Sequence, residues 1–183
     1  MHEYEKKVML TEKEYTALAG QSDAPAVIQT NYYFDSDGWE MNRRGVTCRI
    51  REKNGRFRAE IKRHCADRAE CSTEVVLSEG TVFLPEAFSA LGLYLFGELV
   101  TERRVLYRSA DCEAVLDRNT YLGCTDYELE IEYTPQGAAH AGALLRETAR
   151  AAGENGSFAH RVGSGGTKSA RFFNEKRKRE DDA

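Results

Sequence analysis

The sequence predicts an antiparallel α+β fold in one domain, and three observations carry that prediction. Segments that alternate with period two outnumber helical segments about two to one. The clearest pair of alternating runs is joined by Asn54-Gly55, the dipeptide suited to a two-residue hairpin turn. Strands follow strands, without the regular strand-helix alternation that builds a doubly wound parallel sheet. At 183 residues, 41% hydrophobic and 31% charged, the chain can bury a real core under a heavy load of charge.

Taken in order, residues 3–9 alternate as a strand, and "TEKEYTALAG" follows as a short helix opened by a Thr11/Glu14 capping box and closed at Gly20. "VIQTNYYFD" is a strand and "DSDG" a turn. "VTCRIREKNGRFRAEIKRH" is the hairpin; its turn sets Lys53 opposite Arg56, Arg51 opposite Arg58, Arg49 opposite Glu60 and Thr47 opposite Lys62. "STEVVL" is a further strand, and "LPEAFSALGLYL" a helix with Pro85 in its first turn. Strands are expected again at 98–108, 113–118 and 126–134, with a turn at Ala110–Asp111. "PQGAAHAGALLRETARAAG" and "TKSARFFNEKRKRE" close the chain as helices. The domain is expected to span 1–174, with 175–183 a charged tail that frays.

Composition excludes some functions. A formal net charge of -4 argues against a general nucleic-acid coat, so no nucleic-acid partner is expected, and the basic run Lys176–Arg179 is balanced by the acids after it. No apolar stretch reaches membrane-spanning length, "LGLYLFGELV" being broken by Glu98; no membrane partner is expected, the expected location is the cytoplasm, and a homodimer is allowed. Five cysteines at irregular spacing, without a CxxC pair, read as reduced, packed thiols. "GSGGTKSA" misses the phosphate-loop pattern because Thr167, not Gly, precedes Lys168; Gly163–Gly166 read instead as a hinge for the last helix.

The distribution of charge on strand faces is more informative. One face of the hairpin is almost wholly charged, while Cys48, Ile50, Phe57, Ala59 and Ile61 form the other. Glu3, Glu5 and Lys7 share a face, and "YELEIEY" lines up Glu128, Glu130 and Glu132. Carboxylates in a row repel unless cations lie near them. An acidic strand and a basic hairpin therefore suggest faces that look at each other across a cavity, as in a curled sheet with its charges inward.

These residues also resemble a known family. "EYEKK" fits the ExExK motif of the CYTH superfamily, the triphosphate tunnel metalloenzymes, and is followed in order by "NYYFD", Arg49-Ile50-Arg51, "EIK", "TER", "YELEIE" and "TKSARFF". The resemblance covers roughly residues 1–174 and is nearest to bacterial CYTH-domain proteins of inorganic-triphosphatase type. It implies an eight-stranded antiparallel β-barrel, a tunnel with a charged lumen, in which carboxylates hold Mg²⁺ or Mn²⁺ and cations hold a triphosphate. Glu3, Glu5, Glu128, Glu130 and Glu132 are the metal candidates, being hard oxygen donors. Lys7, Arg49, Arg51, Lys62, Arg103, Lys168 and Arg171 are the substrate-binding candidates, and Arg58 a lumenal partner for an acid. The resemblance gives Lys7 and Tyr33 catalytic roles in activating water or shaping the site, with Tyr32 competing for the tyrosine position. Hydrolysis of a small triphosphate by a metal-dependent enzyme is the expected function. Cyclisation of ATP by a class IV-type adenylate cyclase, or triphosphate binding without turnover, are the alternatives.

Overall fold

In the computed structural model of the chain, residues 4–64, 70–76, 86–153 and 157–182 are described. The strands are β1 (Tyr4–Leu10), β2 (Val27–Asp35), β3 (Val46–Lys53), β4 (Arg56–His64), β5 (Glu70–Val76), β6 (Tyr94–Arg108), β7 (Cys112–Tyr121) and β8 (Cys124–Tyr133). The helices are α1 (Glu12–Ala19), α2 (Glu40–Arg43), α3 (Glu86–Ala90), α4 (Ala138–Ala151), α5 (Ser157–Arg161) and α6 (Lys168–Asp181). One antiparallel sheet carries the order β1-β8-β7-β6-β2-β3-β4-β5. The β3–β4 register is the one expected from Asn54-Gly55, with Arg49 opposite Glu60 and Thr47 opposite Lys62.

Alternation puts apolar residues on one face, and two clusters cover it. Val8, Leu10, Ala114, Leu116, Leu129 and Ile131 pack beneath α1, α4 and α5, which contribute Leu18, Ala141, Leu145, Ala149 and Phe158. Phe34, Val46, Cys48, Ile50 and Ala59 pack beneath Phe88 of α3. A third cluster lies on the opposite, charged face, where Phe172 and Phe173 of α6 meet Tyr33, Phe96, Leu99 and Tyr121. α6 therefore lies along the charged face, with its polar N-terminal turn directed at the acids described below.

Closure of the sheet into a barrel, expected from the sequence, is not seen among the described residues: no pairing joins β1 to β5. The reason is visible at β1. Its outward edge is taken by the segment after α5, where Val162 bridges Val8, Gly163 N–H donates to the Lys7 carbonyl at 2.8 Å, and Arg161 Nη1 donates to the Met9 carbonyl at 2.9 Å. Within Gly163–Gly166, an exposed strap along that edge, Gly165 makes the close approach: it has φ +84°, and a Cβ there would lie 2.3 Å from Met9 Cγ. The sheet is nonetheless strongly curled. Lys168 reaches β7 and β8 while its neighbour Ser169 accepts a hydrogen bond from Thr47 of β3 at 3.2 Å. In a flat sheet β8 and β3, four steps apart, would be separated by about 19 Å.

Other departures are local. The helix expected to run through Leu95 stops at Ala90, because Gly92 turns the chain at φ +65° and β6 begins at Tyr94 against Asp35. Helix α2 was not anticipated; the fully buried Asp35 nucleates it by accepting from the backbone N–H groups of Ser36, Met41 and Asn42 at 2.8, 3.0 and 2.9 Å. Short α5 was not anticipated either. Strand β8 starts earlier than expected, since Leu122-Gly123 forms a tight turn with both φ positive, 46° and 73°.

The capping box at α1 is present as read: Thr11 N–H donates to Glu14 Oε2 at 2.6 Å and Glu14 N–H to Thr11 Oγ1 at 3.3 Å. Glu14 also accepts from Arg161 Nη1 at 3.2 Å, tying α1 to α5. Burial pushes its carboxyl up, but the Arg161 and Thr11 hydrogen bonds outweigh this and hold it below its ordinary 4.5. Glu14→Gln is therefore expected to cost about 1.5–3 kcal/mol at neutral pH. Because the folded pKa is depressed, this stabilisation exists above the unfolded pKa and is lost as pH falls through the folded one. The gap between wild type and variant should close as pH drops below 4.5, as urea midpoints at pH 7 and pH 3 would reveal; a gap independent of pH would dissociate Glu14 from the pair.

Candidate active site

Strand pairing assembles the site row by row, because residues directly opposite share a face. One row runs Met9, Glu128, Asp117, Arg103 and Val27 across β1, β8, β7, β6 and β2. Beside it Lys7 faces Glu130, and Glu5 faces Glu132. Farther along the same face, Asn31 leads to Arg51 and Arg58, and Tyr33 to Arg49 and Glu60. Tyr32 is opposite Ile50 and so belongs to the apolar face, leaving Tyr33 as the tyrosine on the charged side.

At the centre, Asp117, Glu128 and Glu130 are all buried and can bring one carboxylate oxygen each within 4.8 Å of the others. Four cations converge on them. Lys168 Nζ lies 3.0 Å from Asp117 and 2.8 Å from Glu130, and also contacts Glu128. Arg103 holds Asp117 with both ends of a fork, Nε to Oδ1 at 2.8 Å and Nη2 to Oδ2 at 2.6 Å, and also contacts Glu130. Lys7 Nζ is 3.2 Å from Glu130 and 3.3 Å from Glu5. Arg171 bridges Asp126, at 2.7 Å, and Glu128, at 2.9 Å. Asn119 links the set, accepting from Thr101 at 2.7 Å while donating to Asp126 at 2.9 Å and Glu128 at 3.2 Å.

Protonation follows from this packing. Burial alone would push the Glu130 carboxyl up, but Lys168, Lys7 and Arg103 overcome that and hold it far below the usual carboxylate range. Burial would likewise depress the Lys7 and Lys168 ammoniums, and the surrounding acids, Glu130 foremost, raise both instead. At neutral pH Glu130 is therefore ionised, and Lys7 and Lys168 carry their positive charges.

A second group stands across the curl. Arg49 Nε donates to Glu60 at 2.7 Å, and Arg51 donates to Asn31 at 3.0 Å with Glu60 3.7 Å away. Burial and the Arg49 charge lower the Arg51 pKa, with Glu60 opposing. Lys62, half-buried on β4, is opposite Thr47, the residue bonded to the start of α6. Tyr33 is fully buried against Phe172, at 4.9 Å between ring centroids. Its hydroxyl lacks a well-formed hydrogen bond among the described residues; burial pushes its pKa up, and the facing Arg49, Arg51 and Lys168 charges draw it partway back.

Of the residues singled out from sequence, Lys7, Arg103, Lys168, Arg171, Glu128 and Glu130 are thus brought into one cluster, with Arg49, Arg51, Lys62 and Tyr33 on the same face. Glu5 and Glu132 sit at its rim, their side chains 44% and 46% exposed, and Glu3 lies outside the described residues. Asp117, Asp126, Asn119 and Glu60 were missed. Glu60 could have been found from its register with Arg49. Asp117 carried a fainter signal, an acid on the polar phase of "CEAVLDRNTY".

A family model for the CYTH domain matches residues 1–161. The chain belongs to the CYTH family. A Bacillus subtilis (strain 168) relative, the candidate triphosphatase YjbK, is 30% identical over 147 residues, covering 71% of this chain and 76% of its own. Among solved structures, a candidate adenylate cyclase from Bacillus halodurans superposes with a TM-score of 0.70 at 24% identity, covering 94% of this chain and 97% of its own. A Hippeastrum protein, described as a candidate adenylyl cyclase with dominant triphosphatase activity, superposes with a TM-score of 0.67 at 18% identity over 94% of this chain and 96% of its own. At those identities the structural matches establish the CYTH fold alone. Among the described residues no helix is long and apolar enough to cross a membrane.

Proposed function

We propose that the chain is a divalent-metal-dependent triphosphatase, cleaving the terminal phosphoanhydride of inorganic triphosphate or another small triphosphate within a tunnel formed by the curled sheet. The observation that carries this reading is the triad Asp117, Glu128 and Glu130 inside a ring of Lys7, Arg103, Lys168 and Arg171, with a second basic group on β3 and β4. An all-oxygen carboxylate set suits Mg²⁺ or Mn²⁺, and an ammonium already lies among the three carboxylates, so a cation fits there electrostatically. Asp117, Glu128 and Glu130 would hold the ion, with Glu5 and Glu132 available at the rim. When bound, such an ion supplies charge neutralisation at phosphoryl oxygens and acidifies water.

The chain's own residues do the rest. Arg49, Arg51 and Lys62 grip the non-reacting phosphates, the arginines as planar forks and the lysine as a point charge. Lys7 and Arg103, anchored on Glu130, stay charged and oriented to stabilise the negative charge on the transferring group. With inorganic triphosphate, water adds to the terminal phosphorus, the bridging P–O bond breaks with its electron pair staying on the departing pyrophosphate oxygen, and the proton lost by the water passes to a phosphate oxygen or to solvent, giving orthophosphate and pyrophosphate. Buried Tyr33 offers its hydroxyl as a donor to a phosphate oxygen or to water.

A phosphate-release panel tests the reading, using inorganic triphosphate, ATP and pyrophosphate with Mg²⁺ or Mn²⁺. Triphosphate should turn over fastest and pyrophosphate poorly, because cations on β1, β3, β4, β6 and α6 can engage three phosphoryl groups, and chelation should abolish activity. Cyclic AMP as the main product of ATP, with triphosphate left intact, would replace this reading by the cyclase.

A further inference from the structure

We infer that Lys168 is a built-in competitor for the metal: its ammonium sits among Asp117, Glu128 and Glu130, so a divalent ion enters only as Lys168 leaves. The inference rests on the metal role proposed for these three carboxylates. Its geometric basis is that one Nζ contacts all three, the same three whose oxygens can converge within 4.8 Å. Two cations cannot share one set of anions without strong repulsion in a buried site.

The position of Lys168 at the start of α6 gives the displacement a direction. Thr167 caps the helix by accepting from the Ala170 N–H at 3.1 Å, and Phe172 and Phe173 anchor the following turn in the aromatic cluster. Upstream, the strap is held to β1 through Gly163 and Gly165. With both flanks fixed, the low-cost movement is rotation of the Lys168 side chain, not release of the helix. Ser169 is hydrogen-bonded to Thr47 on the basic wall, so a swinging Lys168 remains inside the charged face, where the phosphates are proposed to lie. Metal and polyphosphate therefore bind synergistically: the ion frees a cation for the phosphates, and the phosphates take up the cation that the ion expels. Metal alone is held weakly.

Mn²⁺ titrations of the full chain without polyphosphate, read as free Mn²⁺ by electron paramagnetic resonance, test this. Lys168→Met should tighten Mn²⁺ binding at least about tenfold. Lys178→Met, which removes one charge from an exposed position of the same helix, should leave affinity unchanged. Lys168→Arg keeps the positive charge and should bind as weakly as wild type, and Lys168→Gln, which also removes the charge, should tighten binding as Lys168→Met does and preserves the test if Lys168→Met does not fold. Tightening by Lys168→Met, or by Lys168→Gln where Lys168→Met does not fold, with Lys168→Arg and Lys178→Met like wild type, supports the competition. Affinity unchanged or weakened in Lys168→Met, equal tightening by both methionine variants, or tight binding in Lys168→Arg overturns it and leaves the metal reading standing. Absence of Mn²⁺ binding in every variant overturns both.

Discussion

Glu130→Gln is expected to lower the melting temperature by on the order of 10 °C and to raise the metal concentration needed for phosphate release, or abolish release outright. The size of the first effect follows from what converges on this carboxylate: Lys7, Arg103 and Lys168 all contact it, and its side chain is 7% exposed. Removing one partner from a buried ionic cluster leaves the others uncompensated and costs about 3–5 kcal/mol. For a domain of this size each kcal/mol shifts melting by about 2–4 °C. The second effect follows because a neutral amide is a poorer ligand for a hard cation than a carboxylate. Circular-dichroism melts in the presence and absence of Mn²⁺, together with phosphate release at graded Mn²⁺, separate the two. A variant that melts like wild type and keeps its metal requirement would show that Glu130 is neither the electrostatic centre of the cluster nor a ligand.

Phe172→Ala should cost about 3–5 kcal/mol, the range for truncating a buried aromatic ring. Phe172 is fully buried and lies 4.9 Å from Tyr33, 5.3 Å from Phe173 and 6.4 Å from Tyr121, centroid to centroid. It also packs over Gly97, where an added Cβ would come 3.0 Å from the ring, so the surrounding backbone has little freedom to collapse into the space vacated. The ring holds the same helix that delivers Lys168 and Arg171 to the acids. Loss of stability should therefore be accompanied by a rise in KM for triphosphate, whereas Phe88→Ala, in the apolar cluster beneath α3, should destabilise without that rise. Equal effects of the two on KM would mean that α6 docking does not set the site.

Much of this site was legible because strands make geometry out of sequence. A two-residue turn at Asn54-Gly55 is enough to place Arg49 against Glu60, and strict alternation in "YELEIEY" is enough to align Glu128 with Glu130. Alternation cannot say where a row stops being enclosed, which is why Glu132 was grouped with its neighbours although it lies at the open rim with Arg103 at 3.9 Å. Nor can it rank a single acid on a mixed strand face: Asp117, between Val115 and Asn119 on its face, becomes central only when β6 and β8 pair on either side of it. The spacing of Lys168 and Arg171 announced a common helix face, but their carboxylate partners are about forty residues away, and only tertiary packing identifies them. For the same reason the strap along β1 could not be anticipated from a glycine-rich segment whose partners lie at the other end of the chain.

That strap has a consequence for how copies of the protein coexist at high concentration. A strand at the margin of a sheet presents unsatisfied amide and carbonyl groups that can template pairing with another molecule. On β1 the Lys7 and Met9 carbonyls are already occupied by Gly163 and Arg161, and Val162 lies alongside Val8. Between Lys7 and Met9 the margin is thereby covered by the backbone of Val162 and Gly163 and by the Arg161 side chain, which leaves less of it open to intermolecular strand addition, and Gly165, seated against Met9 where a side chain would not fit, is where a substitution would disturb that cover.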